Sequence, residues 1–195
     1  MNTFRKLWLP VIATAMLATV LPAQAEVTWS QVQQKIKSAK DYSVKYKYNG
    51  PSGKFDFDYR FAGDKVRTEI VDSKSDRSRR GTVIVYDKGW KADKIRARTG
   101  GGMIIRNLTH KDVKGKPFHE SLFGIILKQT AAAGKPRAKA IGNQTKFTFK
   151  SARGSYSVWA NDKAEIQKTE RNDGKDREVR EFGALKWNSS PKMGF

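Results

Sequence analysis

Cysteine is absent from this sequence, and histidine occurs only twice, as His110 and His119. The absence of cysteine excludes disulfide bonds, a thiol nucleophile and a lipid-modified N-terminal cysteine, so packing alone must hold the fold together. After residue 21, no hydrophobic run approaches the roughly 20 residues that a membrane-spanning helix needs. The sequence therefore predicts a folded region that is soluble or bound only at a membrane surface, with no metal and no cofactor.

Acidic residues are scarce as well: 19 aspartates and glutamates face 39 lysines and arginines, and the net charge is +20. In a cytoplasmic protein this charge would point to nucleic acid, but the start of the chain indicates export. Arg5 and Lys6 precede the uncharged run Leu7–Leu21, and Ala23 and Ala25 are small residues at the positions that a signal peptidase reads. We therefore expect a secretory signal peptide cleaved after Ala25, a periplasmic protein and no nucleic-acid partner.

Two hydrophobic patterns of different period follow this leader. Val27–Lys40 has apolar residues at helical spacing, and Thr28 and Gln31 are placed to form a capping box. A second helix is predicted at Pro117–Ala133, with Gly134 placed to end it. The rest of the chain alternates with the period of two that is typical of antiparallel strands. These predicted strands, about ten in number, cover 42–48, 55–61, 66–71, 82–86, 90–98, 103–108, 145–150, 155–160, 163–171 and 177–187.

These elements have few ways to bury their apolar faces together. A long antiparallel sheet must curl, and two apolar helices then cover its concave face. About ten strands exceed what a small closed barrel fills with its own side chains, so the interior keeps a cavity. The predicted fold class is α+β: a single strongly curved antiparallel sheet, forming a half-open barrel, with helices packed on the concave face as a lid. Residues 26–195 are predicted to form one domain.

This order of elements resembles the LolA-like superfamily of periplasmic lipoprotein carriers. The resemblance is carried by the leader Met1–Ala25, the helix Val27–Lys40, the meander with its turn Tyr86–Trp90, the insertion Pro117–Ala133 and the closing hairpins through Trp187. It implies a lid over a hydrophobic cavity that holds acyl chains, with an inward arginine hydrogen-bonded to the lid helix. Members carry lipoproteins or lipids through the periplasm, or sense envelope components. The strong positive charge departs from this pattern, so no branch of the superfamily is assigned.

Candidate cavity-wall residues come from the most apolar stretches. On the strand 55–61, aromatic residues alternate with charged ones and therefore share one face. The second helix is apolar over more than half its girth. The predicted cavity wall consists of Phe55, Phe57, Tyr59, Phe61, Trp90, Leu122, Ile125 and Ile126. The same pattern is also typical of a filled core beneath a helix, and both interpretations stay open at this point.

The surplus of basic residues supplies a second candidate site, an anionic-partner surface. The loop 72–81 is the most polar part of the chain, and three cations on the predicted strand 90–98 share one face. The surface consists of Lys74, Arg77, Arg79, Arg80, Lys94, Arg96 and Arg98. Each cation contributes about 1 kcal/mol near an anionic membrane surface. The alternative is a solvated surface without a partner.

The leading hypothesis is a non-enzymatic, monomeric binding protein that holds an acyl chain, lipid or lipoprotein for transport or sensing. The runner-up is a basic envelope protein that binds lipopolysaccharide, cell-wall polymer, an anionic membrane surface or an acidic envelope protein through its charged face. A third hypothesis is a hydrolase that uses Asp56 and Asp58 as an acid–base pair. Alternation along a solvated strand face explains that pair more simply.

Overall fold

The computed structural model describes residues 27–90, 95–100, 102, 104–113 and 117–195. The predicted signal peptide and Lys94 lie outside these residues. The helices are α1 (Trp29–Ser38), α2 (His110–Val113) and α3 (Leu122–Ala131), and a 3₁₀ turn covers Arg77–Arg79. The strands are β1 (Asp41–Gly50), β2 (Gly53–Ala62), β3 (Lys65–Ser73), β4 (Val83–Asp87), β5 (Ile95–Arg98), β6 (Ile105–Leu108), β7 (Arg137–Ile141), β8 (Gln144–Ser151), β9 (Gly154–Asn161), β10 (Ile166–Asn172), β11 (Arg177–Phe182) and β12 (Lys186–Trp187).

One antiparallel sheet contains all twelve of these strands. Its order is β6-β5-β4-β3-β2-β1-β11-β10-β9-β8-β7, and β12 pairs with the start of β1 beside β11. Among the described strands, β6 and β7 form the two edges of the sheet and do not pair with each other. The curved sheet therefore does not close into a complete barrel. Register shifts in the β2–β3 and β9–β10 pairs mark bulges, which bend strands and increase their twist. The predicted half-open barrel with helices on its concave face is confirmed.

The strand count exceeds the predicted ten for two local reasons. The last predicted strand, 177–187, divides into β11 and β12, because its register against β1 slips by one residue after Gly183, whose N–H still hydrogen-bonds to the Lys45 carbonyl oxygen at 2.8 Å. The edge strand β7 was not predicted. Its side chains are all exposed, so burial imposes no apolar alternation on its sequence.

Side-chain alternation on β2 decides which face of the sheet is the interior. Phe55, Phe57 and Tyr59 are buried, while Asp56 and Asp58 point to the other side and stay partly exposed. The predicted strand with one aromatic and one charged face is confirmed. The aromatic face is the concave one, because both long helices pack against it.

Helix α1 begins as its capping residues predict. The Thr28 hydroxyl accepts a hydrogen bond from the Gln31 backbone N–H at 3.3 Å, and the Gln31 side chain accepts one from the Thr28 N–H at 2.8 Å. The helix is shorter than the predicted 27–40, because extended backbone at Ala39 leads directly into β1. Its Trp29 ring packs 5.0 Å from Phe149, which fixes α1 over β8.

Helix α3 fills one end of the barrel with solid packing. Leu122, Phe123 and Ile126 are completely buried. The Phe123 ring lies 4.8 Å from Tyr42 and 5.7 Å from Trp187, so the helix is wedged against both β1 and β12. This end of the interior is therefore a packed core.

Candidate ligand-binding cleft

The other end of the barrel interior is open. Five connections meet there: the β1–β2, β5–β6, β8–β9 and β10–β11 turns and the longer β3–β4 loop. Inside this end lies a cleft of about 630 Å³, within the range of roughly 300–1,000 Å³ that is usual for small-molecule sites. We call it the barrel cleft. Its lining residues include Tyr46, Tyr48, Phe55, Phe57, Ile70, Arg79, Ile84, Ala97, Arg106, Leu108, Pro117, Phe118, Arg171, Glu178 and Arg180.

Two walls of the barrel cleft are apolar. Aromatic rings from β1 and β2 form one, where Tyr46 stacks on Phe57 with ring centroids 4.9 Å apart. Ile84 and Ala97 contribute to the other, from β4 and β5. Adjacent rings restrain one another, so this surface is preformed, and an apolar chain laid against it leaves water at little cost in side-chain entropy.

The third wall is charged and comes from β10 and β11. The Arg180 guanidinium pairs with the Glu178 carboxylate at 2.6 Å, and Arg171 lies 3.7 Å from the same carboxylate. The Tyr48 hydroxyl donates a further hydrogen bond to Glu178 at 3.4 Å. Arg180 is only 4% exposed. Its Nε and Nη1 make no hydrogen bond to any described residue.

Cations surround the open end of the cleft. Arg79, from the 3₁₀ turn, lines the cleft and lies over the Phe55 ring at 5.9 Å, while Asp76 accepts a hydrogen bond from its Nε at 3.0 Å. Arg106 reaches the cleft from β6. The cleft lining thus contains four arginines and one glutamate.

Two tyrosines of the sheet fix the start of α3. The Tyr59 hydroxyl donates to the Glu120 carbonyl oxygen at 2.6 Å and accepts from the Leu122 N–H at 3.0 Å. The Tyr42 hydroxyl accepts from the Phe123 N–H at 3.2 Å. Burial raises the pKa of Tyr42 to about 12, which keeps it a neutral phenol. Among the described residues, tyrosines therefore make the contact that the superfamily resemblance assigned to an inward arginine.

The predicted cavity-wall residues fall into four groups. Phe55 and Phe57 line the barrel cleft. Phe61 lies beside a separate shallow pocket near α3. Trp90 lies under the Arg96 guanidinium, 4.3 Å from its ring centroid. The others belong to the packed core around α3 and are almost completely buried: Tyr59, Leu122, Ile125 and Ile126.

The predicted anionic-partner surface is divided between two regions. Lys74, Arg77 and Arg80 surround a small polar pocket on the β3–β4 loop, and Arg79 turns from the same loop into the barrel cleft. The remaining described members, Arg96 and Arg98, project from β5 on the side away from the buried Ile95 and Ala97. There Arg98 lies over the Phe195 ring at 5.6 Å.

Sequence reasoning missed the charged wall of the cleft. In β11, charged residues occupy both faces of the strand, so the apolar alternation that identifies an interior face is absent. The spacing along the strand could have revealed it. Glu178, Arg180 and the buried Phe182 are each two residues apart, so their side chains lie on the same face of β11.

The acid pair of the hydrolase hypothesis lies outside the cleft. Asp56 and Asp58 project from the convex face of β2, and Asp58 accepts two hydrogen bonds from Arg60, both at 3.1 Å. No group of three or more potential metal ligands occurs in the part of the chain that the structure describes. Nor is any helix among the described residues long and apolar enough to cross a bilayer.

Comparisons with known proteins find similarity at the level of the fold. No protein-family model matches the sequence, and no curated protein is detectably similar to it. Among solved structures, the Mycobacterium tuberculosis lipoprotein LppX superposes with a TM-score of 0.54 at 12% identity, covering 85% of this chain and 95% of LppX. LprF from Mycobacterium bovis gives a TM-score of 0.50, with the same identity and coverage. At this identity the likeness establishes a shared fold, and it agrees with the predicted architecture at that level.

Proposed function

We propose that this protein is an exported, non-enzymatic carrier or sensor that holds the acyl chain of a lipid or lipoprotein in the barrel cleft. The observation that carries the proposal is the cleft itself, an open space of about 630 Å³ between walls of aromatic and aliphatic side chains. Each methylene that such a surface removes from water contributes about 0.8 kcal/mol. The fold shared with LppX and LprF supports the architecture of the sheet in which the cleft lies.

The periplasmic location is part of the same proposal. It is supported by the charge, apolar run and small residues of the predicted signal peptide, residues 1–25. An exported carrier encounters lipid at the start and at the end of its route, whereas a cytoplasmic protein of this charge would encounter nucleic acid.

Chain-length dependence tests the acyl-binding function directly. Purified, delipidated protein is titrated with saturated fatty acids that grow by one methylene at a time. At about 0.8 kcal/mol per buried methylene, affinity should rise about fourfold per methylene until the cleft is full. An affinity that does not change with chain length would refute the proposal. So would the absence of both bound lipid, by mass spectrometry of the protein as purified, and fatty-acid uptake.

Two variants locate the binding. Phe57→Asp places a charge on the apolar wall and should abolish uptake of a fluorescent fatty acid. Ala97→Phe fills the cleft without adding charge and should reduce uptake as well. The matched control is Val71→Asp, because Val71 is exposed on the neighbouring β3. Uptake that survives both cleft variants, or falls equally in the control, would contradict binding at this place.

The second candidate function is adhesion to an anionic envelope surface, and the cluster of Lys74, Arg77 and Arg80 on the β3–β4 loop favours it. Exposed charges are screened over about 10 Å at 0.1 M salt. Binding to anionic vesicles through this loop should therefore fall steeply between 0.05 and 0.5 M salt, conditions chosen to span the screening range. Acyl-chain uptake should hardly change.

A further inference from the structure

The charged wall of the barrel cleft has no role in holding an acyl chain. Arg171 and Arg180 share the single carboxylate of Glu178, so one guanidinium charge on this wall is uncompensated by a described residue. Guanidinium groups keep their charge at any ordinary pH, so this excess is permanent. A surplus charge beside an apolar cavity is costly, and such charges are normally retained where they meet a partner.

The hydrogen-bonding pattern points to the same place. Nε and Nη1 of Arg180, and Nε of Arg171, are buried and unpaired among the described residues. Arg180 has five N–H donors, and Glu178 engages only its Nη2. Buried polar groups without partners are rare in native proteins, and each one needs a physical explanation.

We propose that the barrel cleft selects an amphiphile whose acyl chain ends in an anionic head group, either a carboxylate or a phosphate. The head group pairs with Arg171 and Arg180, whose guanidinium turns toward the cleft to present its unpaired nitrogens. The chain lies against Phe55, Phe57 and Ile70. This inference rests on the proposed function and names the chemical class of its ligand.

The position of the two arginines fixes the orientation of the ligand. Arg171 and Glu178 lie next to the β10–β11 turn, at the open end of the barrel, whereas α3 fills the opposite end. The head group therefore lies near the mouth and the chain points inward. Arg79 and Arg106 line the same mouth and add attraction for an anion that approaches it.

Ligands that differ only in the head group test the inference without any mutation. Delipidated protein is titrated with dodecanoate, dodecyl phosphate and dodecanol, and separately with inorganic phosphate. Hydrogen bonds to charged groups predict that the two anionic ligands bind about ten- to a hundredfold more tightly than the alcohol. Inorganic phosphate, which lacks a chain, should bind far more weakly than either.

Variants then assign the preference to the charged wall. Arg180→Met should reduce the preference for dodecanoate over dodecanol to about onefold, and Arg171→Gln, at a more exposed side chain, should reduce it in part. The matched control is Arg137→Gln, which removes one positive charge from the exposed edge strand β7 and should leave the preference unchanged. Thermal unfolding of each variant confirms that it folds, and the Arg171 variant carries the test if Arg180→Met does not.

The outcomes separate this inference from the function on which it rests. Equal affinity for dodecanoate and dodecanol would overturn the head-group site and leave acyl binding intact. If inorganic phosphate binds as tightly as dodecyl phosphate, the proposed amphiphile is wrong and the ligand is a simple anion. A preference that survives in both arginine variants would place the head group elsewhere. Failure of all three chains to bind would refute the carrier function itself.

Discussion

Replacing Tyr59 with phenylalanine tests how the sheet holds α3. The substitution removes one hydroxyl and preserves the ring, so packing in the core stays the same. It breaks two hydrogen bonds, to the Glu120 carbonyl oxygen at 2.6 Å and from the Leu122 N–H at 3.0 Å. Burial raises the pKa of Tyr59 well above its usual value, so the hydroxyl carries its proton and can donate.

The expected cost follows from what the substitution leaves behind. The Leu122 N–H is one of the first amides of α3, which have no partner within the helix. A buried donor or acceptor left without a partner costs roughly 1–3 kcal/mol, so the two groups together cost about 2–6 kcal/mol. In a domain of this size, 1 kcal/mol changes Tm by about 2–4 °C. The Tyr59→Phe protein should therefore melt roughly 4–24 °C lower.

Tyr156→Phe is the matched control. Tyr156 is also buried, at 6% exposed, but its hydroxyl makes no hydrogen bond of good geometry to a described residue. Differential scanning calorimetry should find its free energy of unfolding within about 1 kcal/mol of the wild-type value. Equal effects of the two substitutions, or a Tyr59→Phe protein as stable as wild type, would refute the idea that tyrosine hydroxyls anchor the helix.

Two further predictions concern elements at the two ends of the barrel. Burial raises the pKa of Glu165, but hydrogen bonds from Asn161, Lys35 and Trp187 outweigh it and hold the pKa below its ordinary value of 4.5. The folded state therefore favours the carboxylate. As the pH drops below about 4.5, the free energy of unfolding of the wild type should fall more steeply than that of Glu165→Gln, which urea unfolding at each pH measures. Gly154 has φ +143°, and a Cβ there would collide with the backbone of the β10–β11 turn, so Gly154→Ala should cost about 2 kcal/mol or more in chemical unfolding. An unchanged midpoint would contradict that collision.

Local chemistry made much of the fold predictable. Thr28 and Gln31 specify the start of α1 through a motif that operates within one helical turn. The aromatic and charged residues of β2 alternate because one face is buried and the other is not, so pattern alone revealed the interior face. The second helix ends at Ala131, two residues before the predicted 133, and Gly134 turns the chain shortly after it with φ +80°.

The remaining features depend on contacts between distant parts of the chain. The second helix was predicted from Pro117, but α3 begins at Leu122, because Ser121 caps it and the hydroxyl of Tyr59 fixes the residue before that cap. Periodicity predicts an apolar face without showing what fills the space in front of it. Phe57 and Tyr59 share one face of one strand, yet the first lines the cleft and the second lies beneath α3.

Isoleucine methyl groups offer the most direct measurement of the central claim, that an acyl chain enters the barrel cleft. Ile70 and Ile84 line the cleft, whereas Ile126 and Ile166 are buried in the packed core. In an NMR titration with a fatty acid that bears a spin label on its chain, the signals of Ile70 and Ile84 should broaden first, and those of Ile126 and Ile166 should change least. Uniform broadening of all four, or broadening confined to the exposed Ile141 on β7, would contradict the account.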